Sequence, residues 1–385
     1  MIILYVVLVL AALHIVAVWF EALRSGLALA VHQPTRSDAP ASQSRLISII
    51  IPAWNERGTL ERCLASLRLI DYPAWEVIVI AGGPDGTLQA AVQACKTLEH
   101  ARVVEQLPRG LSAALNQGLG AARGDIIVFL DADSLVPHEW LRELVQPLQG
   151  QIQVTTGNPL PLHLTPISIT EQMENLAARE IQHRVILQGC GSIALDRQVI
   201  QELGFSENVR VGVDWDLSAR LAQRGVMIGY CPRALVRTER PSSLREFWRN
   251  ELRWRRAHLS SLFRLNGYFL RDVRSIVKNL YFYALSWFAV MFTVAVLVFI
   301  GSGAPDLRIR AVFLWITFVV WLALRRAALA VQVAAYTHEV RWLRYLAVPP
   351  ILLFISLIAA WLASLSLSRI NMHFKGPRRL MEKSA

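Results

Sequence analysis

The chain has 385 residues, 54% of them apolar and only 18% charged, with a formal net charge of +11. The apolar excess over the roughly 45–50% of a soluble domain is concentrated at the two ends, which excludes a wholly soluble protein. The basic residues crowd into 237–274 and 369–383, beside apolar segments. That placement fits anionic lipid headgroups and argues against a nucleic-acid surface.

Met1 to Phe20 is apolar apart from His14 and long enough to cross a bilayer. Ala28-Leu29-Ala30 resembles a signal-peptidase site, but no basic residue precedes the apolar run, and Glu21 and Arg24 intervene. The expectation is an uncleaved anchor over 1–23. Arg24, Arg36 and Arg45 on its carboxyl side place the next domain in the cytoplasm, making this a multi-pass protein of the cell (inner) membrane. Residues 24–45 read as a linker. From 46 to 241 β-rich runs alternate with helical patterns: strand Leu46–Ile51, helix Thr59–Leu69, strand Glu76–Ile80, helix Thr87–Leu98, strand Arg102–Glu105, helix Leu111–Ala122 and strand Asp125–Leu130. This alternation predicts an α/β domain, a mostly parallel sheet flanked by helices.

Asp131-Ala132-Asp133 directly follows the apolar run Ile126–Leu130, so two carboxylates fall where a buried strand opens into a loop. Open α/β sheets bind ligands along that carboxyl edge. Paired hard oxygen ligands suit Mg²⁺ or Mn²⁺ shared with phosphate oxygens. Four cysteines (Cys63, Cys95, Cys190, Cys231) form no C-x-x-C pair and have no histidine at metal spacing, so reduced structural thiols are expected. Residues 242–278 interleave arginine with tryptophan and phenylalanine at three- and four-residue spacing, the pattern of helices lying in a membrane interface. Three further apolar stretches, Leu280–Ser302, Ala311–Tyr336 and Tyr345–Leu367, predict about three spans within 279–370, ahead of a basic tail over 371–385. Arg325-Arg326 marks either a short span ending there or a segment that does not fully cross. Four spans with a cytoplasmic middle put the basic tail outside, against the positive-inside rule.

Several motifs fall in a fixed order. Ser48–Glu56 reads SIIIPAWNE, Arg109–Gly118 reads RGLSAALNQG, Asp131-Ala132-Asp133 follows, then Gly189-Cys190-Gly191-Ser192, then Val213-Asp214-Trp215-Asp216-Leu217 with Arg220-Leu221. Over roughly 46–256 this ordered set resembles the membrane-associated inverting glycosyltransferases of family 2. That resemblance implies a GT-A, Rossmann-like fold and transfer of a sugar from a nucleotide diphosphate. It implies a nucleotide-sugar site at Pro52, Ala53, Asn55, Glu56, Gly82, Arg109, Asn116, Asp131 and Ala132, with Asp133 and Asp131 on the metal. It also implies Asp214 as general base, and Gly191, Arg253 and Trp254 at the acceptor and diphosphate. Residue chemistry offers other roles beside these. Pro52 can simply end a strand at a sheet edge, Asn55-Glu56 can cap a helix, Asn116 can face solvent, and Asp214 with Asp216 can favour a helix N-terminus.

The chain departs from the family pattern in three places. Ala81-Gly82 stand where members place a base-contacting aspartate, leaving Asp85 either to substitute or to cap the next helix. Thr238 replaces a metal-site histidine, with Glu239 as a possible stand-in ligand. Asn250 replaces the glutamine of the Q-x-x-R-W motif of polysaccharide synthases. The reading is transfer from a nucleotide sugar, a UDP-sugar by default, to a lipid acceptor at the bilayer. Alternatives are polysaccharide or polyprenyl-phosphate glycosylation, or a non-catalytic nucleotide-binding membrane scaffold.

Overall fold

A computed structural model describes residues 2–30, 45–148, 152–178, 187, 191–209, 211–264, 273–302 and 305–365. Cys190, most of the linker and the basic tail lie outside these residues. Seven strands form one sheet: β1 Ile47–Trp54, β2 Trp75–Gly82, β3 Ala101–Glu105, β4 Ile126–Phe129, β5 Ile152–Pro161, β6 Ile193–Asp196 and β7 Met227–Thr238, in the order β3-β2-β1-β4-β6-β5-β7. β3, β2, β1 and β4 are parallel neighbours, β6 runs antiparallel between β4 and β5, and β5 pairs parallel with β7. The expected mostly parallel sheet is therefore present, with one reversed strand. Its central strands read as unbroken apolar runs because both faces are covered. Ile49, Ile51, Val77 and Val79 pack toward α2 (Arg57–Leu67) and α5 (Trp140–Val145). Ile50, Ile78, Ile80 and Phe129 pack toward α4 (Leu111–Ala121), α7 (Arg197–Leu203) and α8 (Val213–Gln223). Each such fully buried aliphatic side chain stabilises the fold by about 1.5–3 kcal/mol.

β1 continues past Pro52 to Trp54, with Pro52 opposite Ile80 of β2, so the proline neither ends the strand nor sits on an edge strand. It is tolerated for a geometric reason. The Leu130 N–H donates to Ile50 O, so residues of that parity face β4, which has ended by position 52. The missing N–H of Pro52 falls on that open side.

α1 (Ile2–Ala30), α10 (Val273–Ser302), α11 (Pro305–Thr337) and α12 (Val348–Leu365) are long and apolar enough to cross a membrane. α11 has 33 residues, about 50 Å, well beyond the roughly 30 Å hydrocarbon core. Its second half packs instead on the sheet domain: Ala330, Val333 and Tyr336 meet Ile169, Met173 and Ala177 in and just beyond α6 (Pro166–Leu176). Arg326 pairs with Glu174 of the same helix, which accounts for a charge in an apolar run. α9 (Leu244–Arg264) runs as one helix along the same side, with Phe247 buried against Ile167 of α6 and Leu352 of α12.

Candidate active site

Asp131 and Asp133 lie just past the end of β4, at the carboxyl edge of the parallel strands. Their turn is pinned from three directions. The Ser134 N–H donates to Asp131 O (3.1 Å), and Cys63 of α2 reaches the same oxygen (3.6 Å). Leu135 exchanges backbone hydrogen bonds with Arg237 of β7 (2.7 and 2.9 Å). The last contact brings β7 alongside, so that the Thr238 hydroxyl donates to Asp133 Oδ1 (3.2 Å).

Gly191 lies directly against the Asp131 carboxylate, where any Cβ would overlap it. The next residue fixes that approach. Ser192 has φ +119°, its N–H donates to Phe129 O (2.9 Å), and its Oγ accepts the indole N–H of the fully buried Trp140 (2.9 Å). A non-glycine residue at positive φ persists only where its surroundings over-determine it, as here.

Burial pushes the Asp131 carboxyl up to about 7, and the negative charges of Asp133, Asp214 and Glu56 push the same way, with Arg240 opposing. Asp133 and Glu56 are also raised, burial again being the first cause. Asp214 is thus brought within electrostatic reach of Asp131 from a separate element, the first turn of α8. That helix starts at Gly212, which has φ +77°. Asp216 is buried and bonded to Arg220 Nε (2.8 Å), a structural role. Trp215 packs edge-on against His258 of α9 (4.5 Å between ring centres), and His258 Nδ1 lies 3.1 Å from the Tyr283 hydroxyl of α10. The helix that carries Asp214 is thereby docked onto the membrane-side helices.

Other sequence-derived residues gather around the same edge. Asn55 has φ +59°, donates its N–H to Gly82 O (3.3 Å), and abuts Gly83. The Glu56 carboxylate accepts from the Thr59 hydroxyl inside α2. Asp85 accepts from the N–H and hydroxyl of Thr87 (3.0 and 2.6 Å), so it caps α3 (Thr87–Cys95). Gly82 lies under the half-exposed Trp54 ring, 2.8 Å from where a Cβ would stand, so the indole covers the position of the family's aspartate. Ala53 and Ala132 are buried. Arg109 is exposed and paired with Glu207 (2.6 Å). Both ends of the Asn116 amide bond the Phe205 backbone (2.8 and 2.9 Å), so it faces neither solvent nor cleft alone. On α9, Trp254 is half-buried, while Arg253 is exposed and turned to Asn250 Oδ1 (3.3 Å). Glu239 is held by Arg62 (3.2 Å) at the rim.

Two residues at the site escaped the motif reading. Arg240, two positions past Thr238, is the cation acting on both Asp131 and Asp133. Glu171 of α6, only slightly exposed, lies 3.8 Å from its Nε. Only proximity to the Thr238 stretch pointed to the first, and no sequence signal marked the second.

The family model for glycosyl transferase family 2 matches residues 48–160, and that for glycosyl transferase family group 2 matches 126–324, more than half the chain. The chain belongs to glycosyltransferase family 2. This glycosyltransferase is 23% identical over 297 residues to the probable glycosyltransferase YdaM of Bacillus subtilis (strain 168), covering 72% of this chain and 70% of that protein. It is 26% identical over 219 residues to a poly-beta-1,6-N-acetyl-D-glucosamine synthase of Staphylococcus aureus (strain MSSA476). That match covers 54% of this chain and about half of the synthase (53%). Among solved structures, the mannosyltransferase PcManGT from Pyrobaculum calidifontis, in complex with GDP-Man and Mn²⁺, superposes with a TM-score of 0.61 at 20% identity. It covers 93% of this chain and 99% of that one, so the shared GT-A fold extends over apolar helices as well as the sheet.

Proposed function

We propose that this glycosyltransferase moves a sugar from a nucleotide-diphosphate donor to a lipid hydroxyl at the membrane surface, in one displacement with inversion. The observation that carries the reading is that Asp214, on a helix docked to the membrane side, lies close enough to Asp131 at the sheet edge for its charge to act there. The Asp214 carboxylate takes the proton of the acceptor hydroxyl as that oxygen bonds the anomeric carbon. The anomeric carbon–oxygen bond to the diphosphate breaks on the opposite face, and its electron pair leaves on the β-phosphate. Two acidic groups on separate elements are what such an in-line reaction requires.

The donor set at the edge fits a divalent cation. Asp131, Asp133 and the Thr238 hydroxyl offer hard oxygens, and among the described residues no third His, Cys, Asp or Glu joins them. Asp131, Asp133 and Thr238 would hold Mg²⁺ or Mn²⁺ and leave positions open to phosphate and water oxygens. When bound the cation supplies charge that offsets the diphosphate. In this reading the catalytic domain is cytoplasmic: Arg24, Arg325, Arg326, Arg341 and Arg344 lie toward the domain-side ends of the spans, whereas Arg308, Arg310 and the basic tail that follows the last span count the other way.

Likeness to a polysaccharide synthase supports polymer extension as a second reading. Asn250 in place of glutamine favours the lipid acceptor. The test incubates the purified full chain with a panel of sugar nucleotides, Mn²⁺ or Mg²⁺ and membrane lipid extract, followed by mass spectrometry. One lipid species heavier by a single sugar is expected. A long saccharide ladder would favour the polymer, and no consumption of any donor would favour a non-catalytic scaffold.

A further inference from the structure

We propose that Arg240 is the residue that grips the donor's diphosphate, and that Glu171 is the positioning residue that aims it. This rests on the glycosyltransferase reading above and deepens it. The family pattern gives the diphosphate contact to Arg253, yet that side chain is exposed on α9 and turned to Asn250. Arg240 stands instead two residues beyond Thr238, whose hydroxyl already reaches Asp133. Its positive charge is felt at both Asp131 and Asp133, so the guanidinium lies within electrostatic reach of the acidic edge where the phosphates belong.

Glu171 is placed to hold that guanidinium from behind. Its side chain is 12% exposed, both carboxylate oxygens are sealed from water, and neither has a hydrogen-bond partner among the described residues. A carboxylate in that state is costly unless a cation compensates it. Arg240 is that cation, with Nε 3.8 Å from Glu171 Oε2. The neighbouring Glu251 of α9 adds a like charge rather than relief, and is itself paired with Arg255. The attraction therefore falls on the Nε side of Arg240. Its 22%-exposed side chain has no other ion-pair partner among the described residues, so the planar fork can bind phosphate oxygens in a bidentate way. As the anomeric bond breaks and charge collects on the β-phosphate, a fixed guanidinium there stabilises the leaving group.

The test measures equilibrium binding of UDP against UMP, and GDP against GMP, to the detergent-solubilised full chain with Mn²⁺. For the base that binds, Arg240→Gln should weaken the diphosphate roughly 10- to 100-fold and the monophosphate no more than about 3-fold. Arg240→Lys, which keeps the charge but not the fork, should fall between. Glu171→Gln should weaken the diphosphate by roughly 3- to 10-fold with the monophosphate unmoved, a split that a mere loss of packing would not give. Unchanged diphosphate affinity in Arg240→Gln and Arg240→Lys, or equal losses for mono- and diphosphate, overturns the assignment. If the wild type binds none of the four nucleotides, the transferase reading falls and this inference with it.

Discussion

Asp131 shows how a fold can make one carboxyl both costly and useful. Burial and three neighbouring acids hold its proton up to about pH 7, against 3.8 for a free aspartate. A raised acid favours the protonated form in the fold, so its contribution is intact below about pH 4 and is lost as pH rises through 7. The ceiling on that loss is on the order of 4 kcal/mol. Metal-free Asp131→Asn should therefore nearly match the wild type in melting temperature at pH 4 and exceed it at pH 8. A gap that ignores pH would refute this account. Asp214 makes a different demand, for proton transfer rather than charge storage. Asp214→Asn should lower kcat by roughly 10³-fold while nucleotide binding stays within about 2-fold, as read by turnover and titration side by side. A parallel loss of nucleotide affinity would instead place Asp214 among the donor-binding groups.

Between residues and fold, the elements explain why distant segments meet at one edge. Asn116 sits on α4, yet its amide bonds the Phe205 backbone on both sides, fixing the loop that leads toward α8 and Asp214. Asn116→Ala leaves a backbone N–H and C=O there without partners, at a cost of about 1–3 kcal/mol. The expected result is a melting temperature several degrees lower, with diphosphate affinity nearly unchanged. If affinity collapses while stability holds, the amide touches donor directly. The strands and helices up to residue 130 were legible because their apolar periodicity is local. The positions of β6 and β7 were not, since an antiparallel insertion and a pairing between β5 and β7 depend on contacts far apart in sequence.

At the scale of the whole molecule, four apolar helices and a sheet domain share a boundary that the hydropathy pattern blurs. α11 reads as one long span, but its second half is packed on α6 and Arg326 pairs there with Glu174, so lipid is expected to end near the arginines. Cysteine labelling with a membrane-impermeant maleimide, in a Cys190→Ser background, checks this. Val340→Cys should label from the domain side, Ile309→Cys only from the opposite side, and Ile316→Cys from neither. Labelling of position 316 from either face would contradict the boundary. All three positions are exposed in the protein itself, so only the bilayer can shield one of them.

Composition and ordered motifs in the chain alone determined the membrane attachment, the α/β class, the family and the acidic edge at 131 and 133, because these signals depend on neighbours in sequence. Tertiary structure decided what no local pattern encodes. It set Arg253 beside Asn250 and Arg240 beside Glu171, laid Trp54 over Gly82, sealed the Glu171 carboxylate from water and set Gly191 against Asp131. Each depends on which helix face the packed core leaves toward the cleft, and that is settled only when distant segments compete for the same buried space.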